Sequence, residues 1–362
     1  MPEIIAQHQP CPNCGREMEF DPEKQTLACR SCGEGAPEPP PAANAITESD
    51  FAAALRHQER GAACDAPLVV VCDNCAAETV LPPHVAADRC VYCDSPLVAA
   101  GQVRKVLRPA AVMPFAVSRE KATAAYRDWL RSRWFLPNAA RQTARLDAMS
   151  GVYLPFWTYD CRTTTRYTGS RGIYYYVQVP YAVTVNGRTV MRTRTERRTR
   201  WYPVSGMVGN RFDDILIPGG QSLPADLLKE LAPWPLAELK PYHPDFIRGF
   251  REDVYTVDLE AGFARAKGAM KPEIEETIRT DIGGNEQSIN SMQIDYREIT
   301  FKHILLPVWV SVFRFRNRAY PILVNARTGE VQGRRPWSVW KIIFAVLTFA
   351  AAAGLAAFLL TR

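Results

Sequence analysis

Hydrophobic positions change period several times along this chain, and each change marks an element. In REKATAAYRDWLRS (Arg119 to Ser132), Ala122, Ala125, Tyr126 and Trp129 recur at three- and four-residue spacing, which predicts an amphipathic helix. Before it, VMPFAVS (Val112 to Ser118) reads as a strand. GVYLPFWTYDC (Gly151 to Cys161) is a strongly β-type run. Thr/Arg-rich alternation continues to Trp201-Tyr202, with Asn186-Gly187 as a hairpin turn. Leu259 to Thr280 predicts a second long helix capped by Asp258, and strands return from Ser288 to about Val331, ending on the turn ARTGEV. A shorter helix is predicted over Thr47 to Arg60, with Thr47 as cap and Asp50 in a capping box. One phrase recurs: LPFW (Leu154 to Trp157) returns as LPVW (Leu306 to Trp309). Two similar strands facing each other after an old duplication would explain it, and so would a coincidence of β-rich vocabulary.

The C-terminal pattern is different. Ile342 to Leu360 holds 19 residues without a charge, ten of them Ile, Leu, Phe or Val. At about 1.5 Å per residue the helix is close to 28 Å long, which suits a hydrocarbon layer of roughly 30 Å. Arg334, Arg335 and Lys341 precede it, Arg362 alone follows, and Trp337 and Trp340 fit an interfacial belt. The charge bias predicts a single-pass span in the inner (cytoplasmic) membrane with the N-terminal body in the cytoplasm. Small residues four apart, from Ala350 to Gly354, could seat a helix partner or be alanine-rich filler.

Cysteine spacing changes the picture most. Cys11, Cys14, Cys29 and Cys32 form one C-x2-C-x14-C-x2-C set, and Cys72, Cys75, Cys90 and Cys93 form a second. Each C-x-x-C makes a tight knuckle that aims two thiolates at one point, and two knuckles supply a closed tetrahedral zinc site. Redox use is the rival reading, but a redox C-x-x-C usually stands alone at a helix start. Two structural Zn2+ ions are therefore expected, in rubredoxin-like zinc ribbons. In the first ribbon, Arg16 to Phe20 and Thr26 to Arg30 read as strands around the turn DPEK. In the second, Glu78 to Leu81 leads out and Pro82-Pro83 begins the return. Cys64 and Cys161 read as incidental or buried thiols. The start, MPEIIAQHQP, does not read as a signal peptide, which fits a reducing compartment.

Composition adds less. Net charge is +6, from 44 basic and 38 acidic residues, which permits acidic partners without requiring them. Between Arg162 and Arg200, however, there are nine arginines and a single acid, Glu196. Arg192, Arg194, Arg197, Arg198 and Arg200 are candidates for phosphate contact with lipid or nucleic acid. A solvated strand face guarded by charge is the plainer reading. There is no G-x-x-x-x-G-K-[ST] loop, no H-E-x-x-H and no G-x-S-x-G, and none of the five histidines is spaced as a metal pair. No catalytic residue is expected and the chain is read as a non-enzyme.

The order CPNCGREMEFD…CRSCG, CDNC…CVYC, VMPFAVS, GVYLPFWTYD, LLPVW, NARTGEV and an apolar terminal helix resembles the bacterial YdjG-type family of zinc-ribbon membrane proteins. Members are often labelled primosomal helicase or transcription-factor-type zinc proteins, and the missing phosphate loop argues against a helicase here. The resemblance implies a cytoplasm-facing membrane protein encoded near phage-shock-type envelope-stress and membrane-scaffold proteins. The expected class is α+β. Its parts are a ribbon over 8–34, a Pro-rich linker and short helix over 35–60, a ribbon over 68–100, a β-rich middle domain over 105–335 and a transmembrane helix over 339–361. The expected function is a membrane-tethered adaptor for a cytoplasmic protein partner in envelope-stress or membrane-maintenance assemblies. A membrane-tethered nucleic-acid binder is the alternative.

Overall fold

The computed structural model describes residues 10–36, 46–60, 64–65, 68–80, 87–93, 95–98, 102–103, 106–143, 149–185, 188–316 and 318–360. The expected turn Asn186-Gly187, the loop at Pro82-Pro83 and most of the Pro-rich linker lie outside them. The N-terminal part runs β1 (Glu19–Asp21), β2 (Thr26–Ala28), β3 (Ser49–Asp50), α1 (Phe51–Arg60), β4 (Cys64–Asp65), β5 (Leu68–Val71), β6 (Glu78–Val80), β7 (Ala87–Arg89), β8 (Pro96–Val98), β9 (Gln102–Val103), β10 (Val106–Leu107) and β11 (Ala111–Val112). Then come α2 (Arg119–Ser132), α3 (Asn138–Thr143), β12 (Ser150–Val185), β13 (Arg188–Pro218), α4 (Ala225–Glu230), β14 (Lys240–Pro241) and β15 (Arg251–Asp253). The last are α5 (Leu259–Ile282), β16 (Glu286–Phe315), β17 (Arg318–Asn325), β18 (Val331–Gly333) and α6 (Val339–Leu360).

Three long strands organise this mixed α+β fold. β12 lies between β13 and β16, antiparallel to both. It meets β16 from Ser150↔Val310 to Gly172↔Glu286, and meets β13 from Phe156↔Pro218 to Val185↔Arg188. The recurring LPFW and LPVW phrases cross here, with Leu154 directly opposite Leu306. Shorter strands extend the sheet, including β11 parallel to β16 and β15 parallel to β12.

Strand alternation explains the core. Val152, Leu154 and Phe156 face one side of the sheet with Ile304, Leu306 and Val308, and that side packs on Val70, Cys72, Cys90, Tyr92 and Leu97 of the second cysteine unit. Tyr153 and Trp309 face the other side, toward Met18, Phe20, Leu27 and Cys29 of the first unit and the apolar stripe of α2. The two cysteine units therefore cover opposite faces of the same strands. Farther along β12, α5 lies across Trp157, Tyr159, Cys161 and Tyr167 with Phe263, Ala266, Met270, Ile274 and Ile278.

Local boundaries follow from side-chain chemistry. Helix α2 spans Arg119–Ser132 with Ala122, Tyr126, Trp129 and Leu130 buried. Asp258 caps α5, its Oδ1 accepting the Ala261 N–H at 2.7 Å. Thr47 does not cap α1. Ser49 and Asp50 instead pair with Phe301 and Thr300, and the helix begins at Phe51 with Asp50 accepting the Ala53 N–H at 2.6 Å. VMPFAVS is a strand only at Val112, because Pro114 lacks an N–H and the chain turns aside to bond Ala326.

Candidate metal centres, basic arm and membrane helix

All four cysteines of each set converge, with sulfur atoms within 4.8 Å of one another. Cys11 and Cys32 are 3.4 Å apart at Sγ, Cys14 and Cys29 3.4 Å, Cys72 and Cys93 3.5 Å, and Cys75 and Cys90 3.6 Å. Four sulfurs about 2.3 Å from one ion stand roughly 3.8 Å apart, so both sets fit a tetrahedral ion with little adjustment.

The knuckles repeat one backbone solution. Cys11, Cys29, Cys72 and Cys90 each donate a backbone N–H to the carbonyl five residues on, at Arg16, Glu34, Ala77 and Ser95. Gly15, Gly33 and Ala76, each just after a second cysteine, return an N–H to the first cysteine and hold φ at +71°, +77° and +56°. Glycine accepts that left-handed geometry freely and alanine does not. N–H groups of Cys32 and Ser31 aim at the Cys29 sulfur and lower its pKa to about 6. Burial opposes ionisation of Cys93, but hydrogen bonds from Asn74 and Ser95 outweigh it and bring it to about 6 as well. Cys14 and Cys32 in the first set and Cys75 and Cys90 in the second are shifted upward, so each set favours one thiolate and metal binding would release protons from the others.

Both cysteine units are fastened to the sheet. Phe20 donates its N–H to Arg248 O at 3.1 Å, and its ring meets Phe246 edge-on at 5.4 Å. Gln25 Nε2 donates to Phe115 O at 2.7 Å. On the other face, Thr79 and Val80 pair with Asp253 and Glu252, and Tyr92, between two ligand cysteines, donates to Asp253 at 3.0 Å.

The arginine segment forms an arm. β16 stops pairing at Gly172, and from Ile173↔Arg200 to Val185↔Arg188, among the described residues, only β12 and β13 continue. Thirteen residues per strand carry this ribbon about 40 Å past the sheet. Cross-strand register sorts the candidates. Arg192, Arg194, Arg198 and Arg200 share one face with Tyr175 and Tyr181, while Arg197 stands on the opposite face with Tyr174. Arg194, Arg197 and Arg200 lie over Tyr181, Tyr174 and Tyr175 at 5.8, 4.3 and 5.0 Å from the ring centroids. Glu196 sits among the four and pairs with Arg194 at 2.6 Å and Arg198 at 3.7 Å.

Helix α6 contains an apolar stretch, Val339–Leu359, of mean hydropathy 2.5 whose most apolar part is not buried against the body, which suggests a membrane anchor. Its base is bolted to the body. Lys341 Nζ donates to Trp134 O at 3.1 Å, Leu136 O at 2.9 Å and Asn138 Oδ1 at 2.9 Å, using all three of its donors. Arg334 is committed too, to Asp226 at 3.0 Å.

Sequence reading missed a carboxylate group at the root of β12. Glu48, Asp160 and Asp213 bring oxygens within 4.8 Å of each other at an open cleft of about 230 Å³. Burial and the neighbouring Glu48 push Asp160 up to about 6, while Glu48, accepting its hydrogen bond, is held near 2. Lys302 joins Glu48 at 3.2 Å and, beside the group, Asp214 at 2.8 Å, so Glu48 belongs to an ion-pair network. No local motif announces it, because its members lie far apart in the chain. Cys161 is buried, its pKa raised to about 11 by burial, and its sulfur lies 3.6 Å from that of Met270.

Comparison with known proteins places a likeness over nearly the full length. The chain is 24% identical over 334 residues, 92% of its length, to a Bacillus subtilis (strain 168) protein named "Uncharacterized protein YdjG", of which the match covers 91%. No family model matches the chain, and no solved structure matches it.

Proposed function

We propose that this chain is a membrane-tethered adaptor that recruits a protein partner on the cytoplasmic side of the inner membrane. The observation that carries the reading is the arm. A two-stranded ribbon is marginal by itself, yet this one runs thirteen residue pairs beyond its sheet. Along it, one face presents Arg192, Arg194, Arg198 and Arg200 between tyrosines. Such a ladder offers guanidiniums to an acidic surface and rigid rings to its apolar parts. The cysteine units take a supporting part, as rubredoxin-like ribbons with one structural Zn2+ on Cys11, Cys14, Cys29 and Cys32 and another on Cys72, Cys75, Cys90 and Cys93. Zinc bound by four thiolates supplies folding energy, about 10–16 kcal/mol in small zinc domains. With apolar faces against opposite sides of the sheet, these units brace it and leave the arm free to make contact.

Orientation rests on the basic residues at the base of α6. The partners to try first are phage-shock-type and membrane-scaffold proteins. The test is crosslinking and purification of the full chain from solubilised membranes, beside a variant with the four arginines changed to Gln. A protein retained by the wild type and lost from the variant supports the adaptor. Equal capture by both removes it. The second reading, nucleic-acid binding, is favoured by the same alternation of arginine and aromatic residues. It requires arm-dependent binding to DNA or RNA that weakens steeply with salt.

A further inference from the structure

The turn between α2 and α3 lies beside the first turn of α6, far away in sequence. Ser338 donates its N–H to Phe135 O at 2.8 Å, and Lys341 binds the Trp134 and Leu136 carbonyls from the other side. Phe135 bridges Trp134 and Trp337, with ring centroids 5.1 and 6.1 Å away. Trp134, Trp337 and Trp340 are 55%, 57% and 81% exposed, so three indoles ring the base of the apolar helix. Exposed indoles in a soluble protein are unusual, whereas an interfacial belt uses their apolar ring and polar N–H together.

Basic groups gather at the same place. Arg133 lies over the Trp129 ring at 4.9 Å, and its Nε is buried without a hydrogen-bond partner. Arg141 donates to the Arg133 carbonyl at 3.2 Å, and its own Nε is likewise buried and unpartnered. Arg335 lies over Trp337 at 4.6 Å. Burial, then the like charge of Arg133, lowers the Arg335 pKa from its ordinary value. Among the described residues, none of these three guanidiniums is paired with a carboxylate, in contrast to Arg334 on Asp226.

We infer that the turn from Arg133 to Leu136 is a second membrane contact, with Trp134 in the headgroup layer and Arg133 and Arg335 gripping the phosphate of an anionic lipid. The inference rests on the reading of α6 as a membrane span. Because Lys341 spends its donors on the turn, a span entering the bilayer at Val339 brings the turn to the interface with it. Arg335 stacks on the Trp337 that Phe135 joins to the Arg133 turn, so a phosphate lodged at this turn can accept from guanidiniums of both segments. The contact holds the body at a set angle to the bilayer, where a single helix alone would leave it to pivot.

The experiment uses the full chain labelled with 5-fluorotryptophan in nanodiscs containing headgroup-paramagnetic lipid. Fluorine resonances are assigned with Trp134→Phe, Trp340→Phe and Trp157→Phe. Trp157 is fully buried in the sheet core and serves as the remote reference. Trp134 and Trp340 should both broaden severalfold more than Trp157. Broadening of Trp340 with Trp134 matching Trp157 would overturn the second contact and keep the span. Broadening of neither would overturn both. For the headgroup, hydrogen exchange over 133–141 should slow severalfold when phosphatidylglycerol is added to phosphatidylcholine nanodiscs. The slowing should persist in Arg133→Lys/Arg335→Lys and vanish in Arg133→Gln/Arg335→Gln. Equal slowing in the Gln variant, or slowing reproduced by inorganic phosphate without phosphatidylglycerol, would overturn the lipid assignment.

Discussion

Tyr92 donates its hydroxyl to Asp253 at 3.0 Å in a site closed to solvent, joining a cysteine knuckle to the sheet. Burial is the main cause that pushes Asp253 from 3.8 up to about 7. A carboxyl raised in this way holds its proton more tightly folded than unfolded. Its contribution to stability is therefore fully present below about pH 4 and lost as pH rises through about 7. Asp253→Asn keeps an oxygen for Tyr92 and removes the titration. The melting temperature of this variant minus that of the wild type should grow from about pH 5 to about pH 8. Both chains carry the same cysteines and are compared at one saturating zinc concentration. A flat or falling difference would sink the assignment.

Ala76 occupies a position where its counterparts are Gly15 and Gly33, and it holds φ at +56°. Its left-handed backbone carries a Cβ penalty that glycine avoids, partly offset by the extra freedom glycine brings to the unfolded chain. Ala76→Gly should stabilise the second unit by about 1 kcal/mol. Slower metal release to a chelator from that unit would show it. Gly15→Ala should move the first unit the other way.

Cys29 is 2% exposed and belongs to the core cluster that contains Phe20, Leu27, Phe115 and Trp309. Losing its thiolate opens one metal site and loosens a wall of that core. Elemental analysis of the purified full chain should give two zinc for the wild type and one for Cys29→Ser. The variant should also be less stable and melt earlier, because zinc bound by four thiolates supplies folding energy, about 10–16 kcal/mol in small zinc domains. A folded wild-type chain without metal would falsify the zinc assignment.

Some of this was legible in the sequence, and the reason is locality. Cysteine spacing, the α2 stripe, the Asp258 cap and the apolar terminus depend on neighbours a few residues apart. The length of β12 and β13 was not legible. Strands usually run to about ten residues, and prolines at 155, 180, 203 and 218 look like breaks. Their positions explain why they are tolerated. Pro203 lies on β13, whose one described partner is β12, Pro180 lies on the two-stranded arm, and Pro155 precedes the first β12–β13 pair at Phe156. Nor could the sequence tell that the cysteine units cover opposite faces of one sheet. That outcome depends on the parity of Val152 and Tyr153, which points adjacent side chains to different sides once the strand exists.

The long register also has a weak point for testing. Gly169 on β12 faces the Thr168-to-Gly169 irregularity in pairing with β16. A Cβ built there would stand 2.5 Å from the Ser288 carbonyl oxygen and 2.8 Å from Ile282 Cδ1. The first obstacle is backbone held in a ladder, so no rotamer change relieves it. Gly169→Ala should therefore cost about 1–3 kcal/mol or more, as overpacking does. The strain should surface where α5 ends and the arm begins, since Ile282 closes that helix and Gly172 follows on β12. Hydrogen exchange of the full chain would locate it. Faster exchange over 165–175 and 282–290, with the cysteine units unchanged, is the expected pattern. Uniform behaviour along the chain, or no loss of stability, would show that the strand pairing shifts freely there and that the arm is not fixed by this register.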